Sequence, residues 1–131
     1  MNYPTMVTIP ISLDARITPN SRSHWHTKHK IQQEMKHTTY VSMQATGPHT
    51  SLHNAPLPLR LDYVIGLGYR RKEMDDDNAK ASLKYVQDAI ATYLGLNDKF
   101  IKVGTVAWVR DPDKVGFVRV LISPAEASDG S

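Results

Sequence analysis

Residues 6–13 (MVTIPISL) are rich in β-branched and apolar side chains, a pattern that predicts a strand. Pro10 has no amide hydrogen to give a neighbour, so this strand is expected at a sheet edge or bulged there. Residues 14–27 are polar and irregular, with a turn at Pro19-Asn20. Over residues 28–46, Ile31, Met35, Thr38/Thr39 and Ser42 recur at roughly helical steps, and Gly47-Pro48 ends the run. A loop rich in Pro, His, Ser and Thr covers 47–58. Residues 59–69 (LRLDYVIGLGY) alternate at Leu59, Leu61, Tyr63 and Ile65, the signature of a strand with one buried face. Residues 79–94 carry the clearest helix, because Leu83, Val86, Ile90 and Leu94 form one apolar stripe. Gly95 suits the left-handed position after its last turn, with Leu96 folding back on it. Residues 100–110 (FIKVGTVAWVR) and 115–122 (VGFVRVLI) are β-rich. With Asp111-Pro112-Asp113 between them they predict a hairpin. Residues 123–131 are small and polar, as in a frayed tail.

The order is β-α-β-α-β-β, which predicts an α+β fold with two helices packed on a small mixed sheet. There is no repeat and no internal linker, and 131 residues suit a single domain. A chain of this size buries a core without covalent staples. The absence of cysteine excludes a disulfide framework and thiolate zinc sites. No apolar run reaches the length of a membrane span, and the first residues lack the basic start and apolar stretch of a signal peptide. The expected setting is the cytoplasm.

The net charge of +3 is too small by itself to identify a partner. Its distribution says more. Arg16, Arg22, Lys28, Lys30 and Lys36 lie in one stretch with His24, His26 and His29, opposed only by Glu34. Arg70, Arg71 and Lys72 form a second basic cluster, followed at once by Glu73, Asp75, Asp76 and Asp77. A basic surface beside a tight group of carboxylates suits an enzyme that holds a polyanion and uses a divalent cation. The same charges also fit an ordinary solvated face.

Asp75, Asp76, Asp77 and Asn78 fall between a strand and a helix. Their mutual repulsion is relieved by a hard cation such as Mg²⁺, which prefers carboxylate oxygens and water. In an extended segment Asp75 and Asp77 would share a face and Asp76 would point away. The competing reading is an acidic helix start, with Asp77 or Asn78 as the cap. An EF-hand is disfavoured, since Ala79 stands where a third oxygen ligand is needed and Lys80 where the loop glycine belongs. Asp98, in Leu96-Asn97-Asp98-Lys99, is a third acid. The intervening helix separates its two ends by about 25 Å. Asp98 therefore reaches Asp75 within one chain only if the chain doubles back along the helix or the helix starts later than residue 79. Along that helix Asp77, Lys80, Lys84 and Asp88 lie near one face. They form either an ordinary Lys84–Asp88 pair or a lysine placed to stabilise charge on a phosphate.

Asp75-Asp76-Asp77-Asn78, then Leu83-Lys84-Tyr85-Val86-Gln87-Asp88-Ala89-Ile90, then Leu94-Gly95-Leu96-Asn97-Asp98, resembles the core signature of the RusA family of Holliday junction resolvases. The N-terminal Ile9-Pro10, Thr18-Pro19-Asn20 and Arg22–Trp25 are similar to that family's strand and basic loop, and the resemblance extends over residues 5–122. It implies an endonuclease domain over residues 1–124 with a flexible tail at 125–131. The implied protein is a homodimer that binds branched, four-way DNA and nicks two strands symmetrically with Mg²⁺, in recombination and repair, often in phages or prophages. Asp75, Asp77 and Asp98 match the family's essential, metal-holding acids. Lys84 matches its catalytic lysine when counted back from Asp88-Ala89-Ile90. The family's commoner spacing places that lysine four residues after the second Asp, where this chain has Ala81, so Lys80 is the rival. Arg22, Lys28, Lys30, Arg70, Arg71, Lys72 and Lys80 are the candidate DNA contacts.

Trp25 among His24, His26 and His29 reads as a loop with a Trp seated on the core, as an aromatic contact to DNA, or, through His24 and His26, as a transition-metal site. His37, His49 and His53 carry no signal, and Tyr85 and Tyr93 read as packing or dimer-contact residues. Three other functions fit the same chain: a DNA-binding module of this fold that does not cleave, an interaction protein whose acidic loop caps a helix, and a Mg²⁺ phosphatase. The last is disfavoured by the basic loops and the lack of a Gly-rich phosphate cradle.

Overall fold

The computed structural model describes residues 5–13, 25–47, 57–69 and 71–125. Arg22, Arg70, His24, the Pro19-Asn20 turn and tail residues 126–131 lie outside them. Among the described residues, four strands and two long helices run in the order β1 (Thr5–Ile9), α1 (Trp25–Thr46), β2 (Leu59–Leu67), α2 (Asp76–Leu94), β3 (Ile101–Arg110) and β4 (Phe117–Pro124). A 3-10 turn, Asp98–Phe100, precedes β3. The architecture is α+β, with the predicted element order.

The sheet order is β1-β4-β2-β3. β4 pairs antiparallel with both β1 and β2, and β2 pairs parallel with β3. The expected hairpin between β3 and β4 is therefore corrected: β2 stands between them. The helix joining β2 to β3 is long enough to bring the chain back for a parallel pairing. Residues 111–116 then step across the end of β2, where the Asp111 amide donates to Leu67 O (3.0 Å) and the Tyr69 amide to Lys114 O (3.0 Å). A local strand-turn-strand pattern carries no record of which strand the turn passes over. The strand expected to run to Leu13 ends at Ile9, before Pro10, which has no amide to continue a ladder; β1 lies at the sheet edge, as expected.

Register explains the core. Leu61, Tyr63 and Ile65 of β2 stand opposite Ile122, Val120 and Val118 of β4, and Val7 and Ile9 of β1 stand opposite Val120 and Val118. All eight are buried on one face. Leu83, Val86 and Ile90 of α2 and Met35 and Met43 of α1 join the same core. The helices touch each other through the Tyr40–Tyr93 edge contact.

Edge strand β3 is bulged. Leu61 pairs with Val103 but Tyr63 with Val106, so two residues of β3 face Asp62 alone. Asp62 Oδ1 fills the gap by accepting from the Thr105 amide (2.8 Å), the Thr105 hydroxyl (3.0 Å) and Arg60 Nε (3.0 Å). Partial burial opposes ionisation of Asp62, but these donors outweigh it and hold the carboxyl below its usual range. Gly104 is required here, since a Cβ would collide with Asp62 Oδ1 and Arg60 Nε. The frayed tail expected over 123–131 starts later: Ser123 and Pro124 belong to β4, and Ala125 is buried, its amide donating to Pro58 O (2.8 Å).

Candidate active site

α2 begins at Asp76, three residues before the predicted start at Ala79. Apolar periodicity begins only at Ala79, but Asp76 and Asp77 are favoured in a first turn, where free amides and the helix dipole attract carboxylates. The N-cap is Asp75, in extended conformation, which corrects the expected cap at Asp77 or Asn78. Asp75 Oδ1 accepts from the Asn78 side-chain amide (2.8 Å) and does not cap a backbone amide. The alternation expected of an extended segment does not extend to Asp76 and Asp77, which belong to the helix. Asp76 pairs with Lys80 (3.1 Å).

At the other end, Gly95 takes the left-handed conformation (φ 70°). The Gly95 amide donates to Thr92 O (3.2 Å) and the Leu96 amide to Ala91 O (3.0 Å), a Schellman closure that reverses the chain. Asn97 then caps the 3-10 turn by accepting from the Lys99 amide (3.1 Å). Together these turns carry Asp98 back along α2, as far as the side chain of Lys84. Lys84 Nζ lies 3.2 Å from Asp88 Oδ1 and 3.4 Å from Asp98 Oδ2. The bond to Asp88 raises the Lys84 pKa most; slight desolvation opposes this, and the charges and contact of both carboxylates add to the rise. Lys84 is therefore a fixed positive charge at neutral pH.

Asp77 lies two helical turns before Lys84, about 10 Å along the axis. The doubled-back chain thus brings Asp98 to mid-helix rather than to its N-terminus. Among the described residues no group of three or more His, Asp or Glu side chains is placed to hold a metal ion. Within one chain, Asp98 joins Lys84 and Asp88, while Asp75 joins Asn78. The hydroxyls of Tyr63 and Ser82 are buried without a hydrogen-bond partner among the described residues. Burial, with a smaller contribution from Asp88, pushes the Tyr63 phenol well up, so it stays neutral.

The loop between β2 and α2 is pinned from β3. Arg110 Nη1 donates to Gly68 O (3.2 Å) and Arg71 O (2.9 Å). The next residue, Asp111, is 6% exposed and organises the β3–β4 loop. Its carboxylate accepts from the amides of Gly116 (2.8 Å), Asp113 (2.9 Å) and Val115 (3.2 Å). The Gly116 and Asp113 amides depress its pKa most, burial opposes them, and the Val115 amide adds to the depression. Nothing in the sequence marked Arg110 as a clamp, because its acceptors are backbone carbonyls of a distant loop. Arg71 and Lys72 are exposed on that loop. They edge a pocket of about 260 Å³ whose other walls include Ser12, Leu67, Met74 and Trp108.

Lys28 and Lys30 lie in the first turns of α1, which starts at Trp25 rather than at the predicted residue 28. Trp25 is 63% exposed and packs on His26 (ring centroids 3.8 Å), so it is not seated on the core. No helix among the described residues is long and apolar enough to cross a membrane.

No family model and no curated protein matches the chain. Among solved structures it is similar to the periplasmic domain of Helicobacter pylori MotB, at 8% identity and a TM-score of 0.42, over 99% of this chain and 88% of that one. A likeness at that level carries no argument about function.

Proposed function

We propose that the protein is a Mg²⁺-dependent, structure-selective DNA endonuclease of RusA type, which nicks four-way junctions symmetrically as a homodimer. The observation that carries this reading is the line of charge on α2. Asp77, Lys84 and Asp88 share one face, and the chain returns Asp98 to Lys84 at 3.4 Å. Lys84 and Asp98, which match the family's lysine and late acid, are in contact, while Asp75 and Asp77 lie apart from them. Basic Arg71 and Lys72 flank the acidic start of the helix, as phosphate contacts would require.

The residues that would hold Mg²⁺ are Asp75, Asp77 and Asp98. One chain does not gather them on a common point, so the ion would draw its ligands from two subunits, or from Asp75 and Asp77 with several waters. Once bound, Mg²⁺ supplies charge relief on the phosphate and an acidified water. Lys84 contributes a permanent positive charge that stabilises the extra negative charge of a pentacovalent phosphate. With its pKa raised, it does not act as a proton-accepting base near neutrality. The free amides at the start of α2 favour a phosphate oxygen beside Asp75.

The separation of Asp98 from Asp75 and Asp77, with no three-acid cluster among the described residues, also favours a second reading, a junction-binding module that does not cleave. One experiment separates the two. A synthetic four-way junction is incubated with the protein and Mg²⁺, and strand nicks are read on a denaturing gel beside a native gel shift. The endonuclease gives paired nicks across the junction. Asp75→Asn and Asp77→Asn abolish the nicks and keep the shift. A shift with no nicks in Mg²⁺ or Mn²⁺ selects the binding module, and full cleavage by both variants removes the proposed site.

A further inference from the structure

The pocket of about 260 Å³ lies at the carboxyl ends of the two parallel strands, β2 and β3. Ligands of open sheets with parallel strands collect at such ends, where the loops diverge. Its composition divides in two. Trp108, Met74 and Leu67 give it apolar, polarisable walls, while Arg71 and Lys72 place two cations at its edge. Among the described residues, no carboxylate lines it and neither cation is in an ion pair. Arg110 fixes the backbone of this loop through Gly68 O and Arg71 O, so the cations are mounted on a held segment. Met74 directly precedes Asp75, which makes the pocket continuous with the proposed catalytic loop.

A flat apolar group bearing an adjacent negative charge satisfies both halves. We infer that this pocket receives one unstacked nucleobase of the DNA, with its own phosphate on Arg71 and Lys72, next to the phosphate at the start of α2. The inference rests on the DNA-junction reading above and specifies it further. A base leaves its stack at a cost that is smallest where pairing is already interrupted, as at a strand exchange point. An aromatic wall offers a π-face to any base, so Trp108 contributes retention with little sequence preference. Selection for the branch point then comes in part from how readily a base is released there, without a hydrogen-bonded readout of its edge.

The test uses the full chain and a four-way junction carrying 5-iodouracil, scanned through the nucleotides flanking the crossover, with Ca²⁺ present to hold the complex uncleaved. Each complex is checked by native gel shift and irradiated at saturating protein, and the crosslinked peptide is identified by mass spectrometry. A crosslink to Trp108 or Met74 is expected from one position per symmetric arm. Lys72→Glu, an exposed change whose folding is checked by circular dichroism, is expected to lower its yield several-fold at saturation. A normal gel shift with crosslinks only to other residues at every position overturns the pocket and leaves the junction reading standing. An undiminished Trp108 crosslink in Lys72→Glu overturns the role of the cations. Absence of any gel shift removes the junction reading and this inference together.

Discussion

The Lys84 ammonium lies 3.4 Å from Asp98 Oδ2, although Asp98 is fourteen residues further along the chain and beyond the end of the helix that carries Lys84. Asp88, one turn on, holds the same ammonium at 3.2 Å. Lys80 pairs instead with Asp76, so the two lysines of this face have different partners and separable roles. Lys84→Ala is expected to lower junction cleavage by about 100-fold, the scale of losing one charge aimed at a transition state. Lys80→Ala is expected to act mainly on affinity. The ion pairs of Lys84 are half exposed and worth about 1 kcal/mol or less to folding, so its melting temperature should barely move. Single-turnover cleavage beside thermal melts checks both. An equal loss of cleavage in the two variants would refute the assignment of Lys84.

Asp111 gives the fold an acid-sensitive joint. Its folded pKa lies below the ordinary 3.8 because three amides donate to the ionised form. A depressed carboxyl contributes stability that is complete above the unfolded value and is lost as pH falls through the folded one. Asp111→Asn is therefore expected to melt below wild type at neutral pH, with the gap closing once the pH drops under 3.8. Thermal melts across that range measure it, and a gap independent of pH would contradict the assignment.

Gly104 sits where the β3 bulge presses on Asp62 and Arg60. Gly104→Ala must displace the carboxylate that accepts both donors of Thr105, an overpacking cost of about 1–3 kcal/mol. Urea unfolding reads the change. Ala at Gly47, which has open space around its missing Cβ, is the comparison for simple left-handed strain.

Arg110 acts at a distance from the acids through the loop it clamps. Arg110→Met is expected to leave the core intact and to loosen residues 68–75. Hydrogen exchange should rise at the amides of Arg71 to Asp75, with a fall in cleavage larger than the fall in junction affinity. Unchanged exchange in that loop would show that the two carbonyl contacts do not hold it.

Phosphate contacts release counterions, so junction affinity should fall linearly on a log–log plot against salt. Arg71→Ala and Lys72→Ala are each expected to reduce the slope by about one. A slope that neither variant changes would remove this loop from the DNA interface.

The sequence by itself determined the element types, because burial periodicity is a local property: two-residue alternation in β2 and the Leu83–Val86–Ile90 stripe in α2 state which face must leave water. It also determined the Gly95 turn, since the left-handed backbone there suits a residue without Cβ. Only the tertiary structure decided that β2 separates β3 from β4, that Asp98 returns to Lys84, and that Arg110 and Trp108 reach the loop before α2. Each of these depends on where a turn deposits the chain in space, and contacts between distant segments leave no period in the sequence. The acidic run was visible as composition, but its division between an N-cap at Asp75 and a first turn at Asp76 and Asp77 was set by where α2 begins, and the contact of Asp98 with Lys84 by how the chain turns after α2 ends.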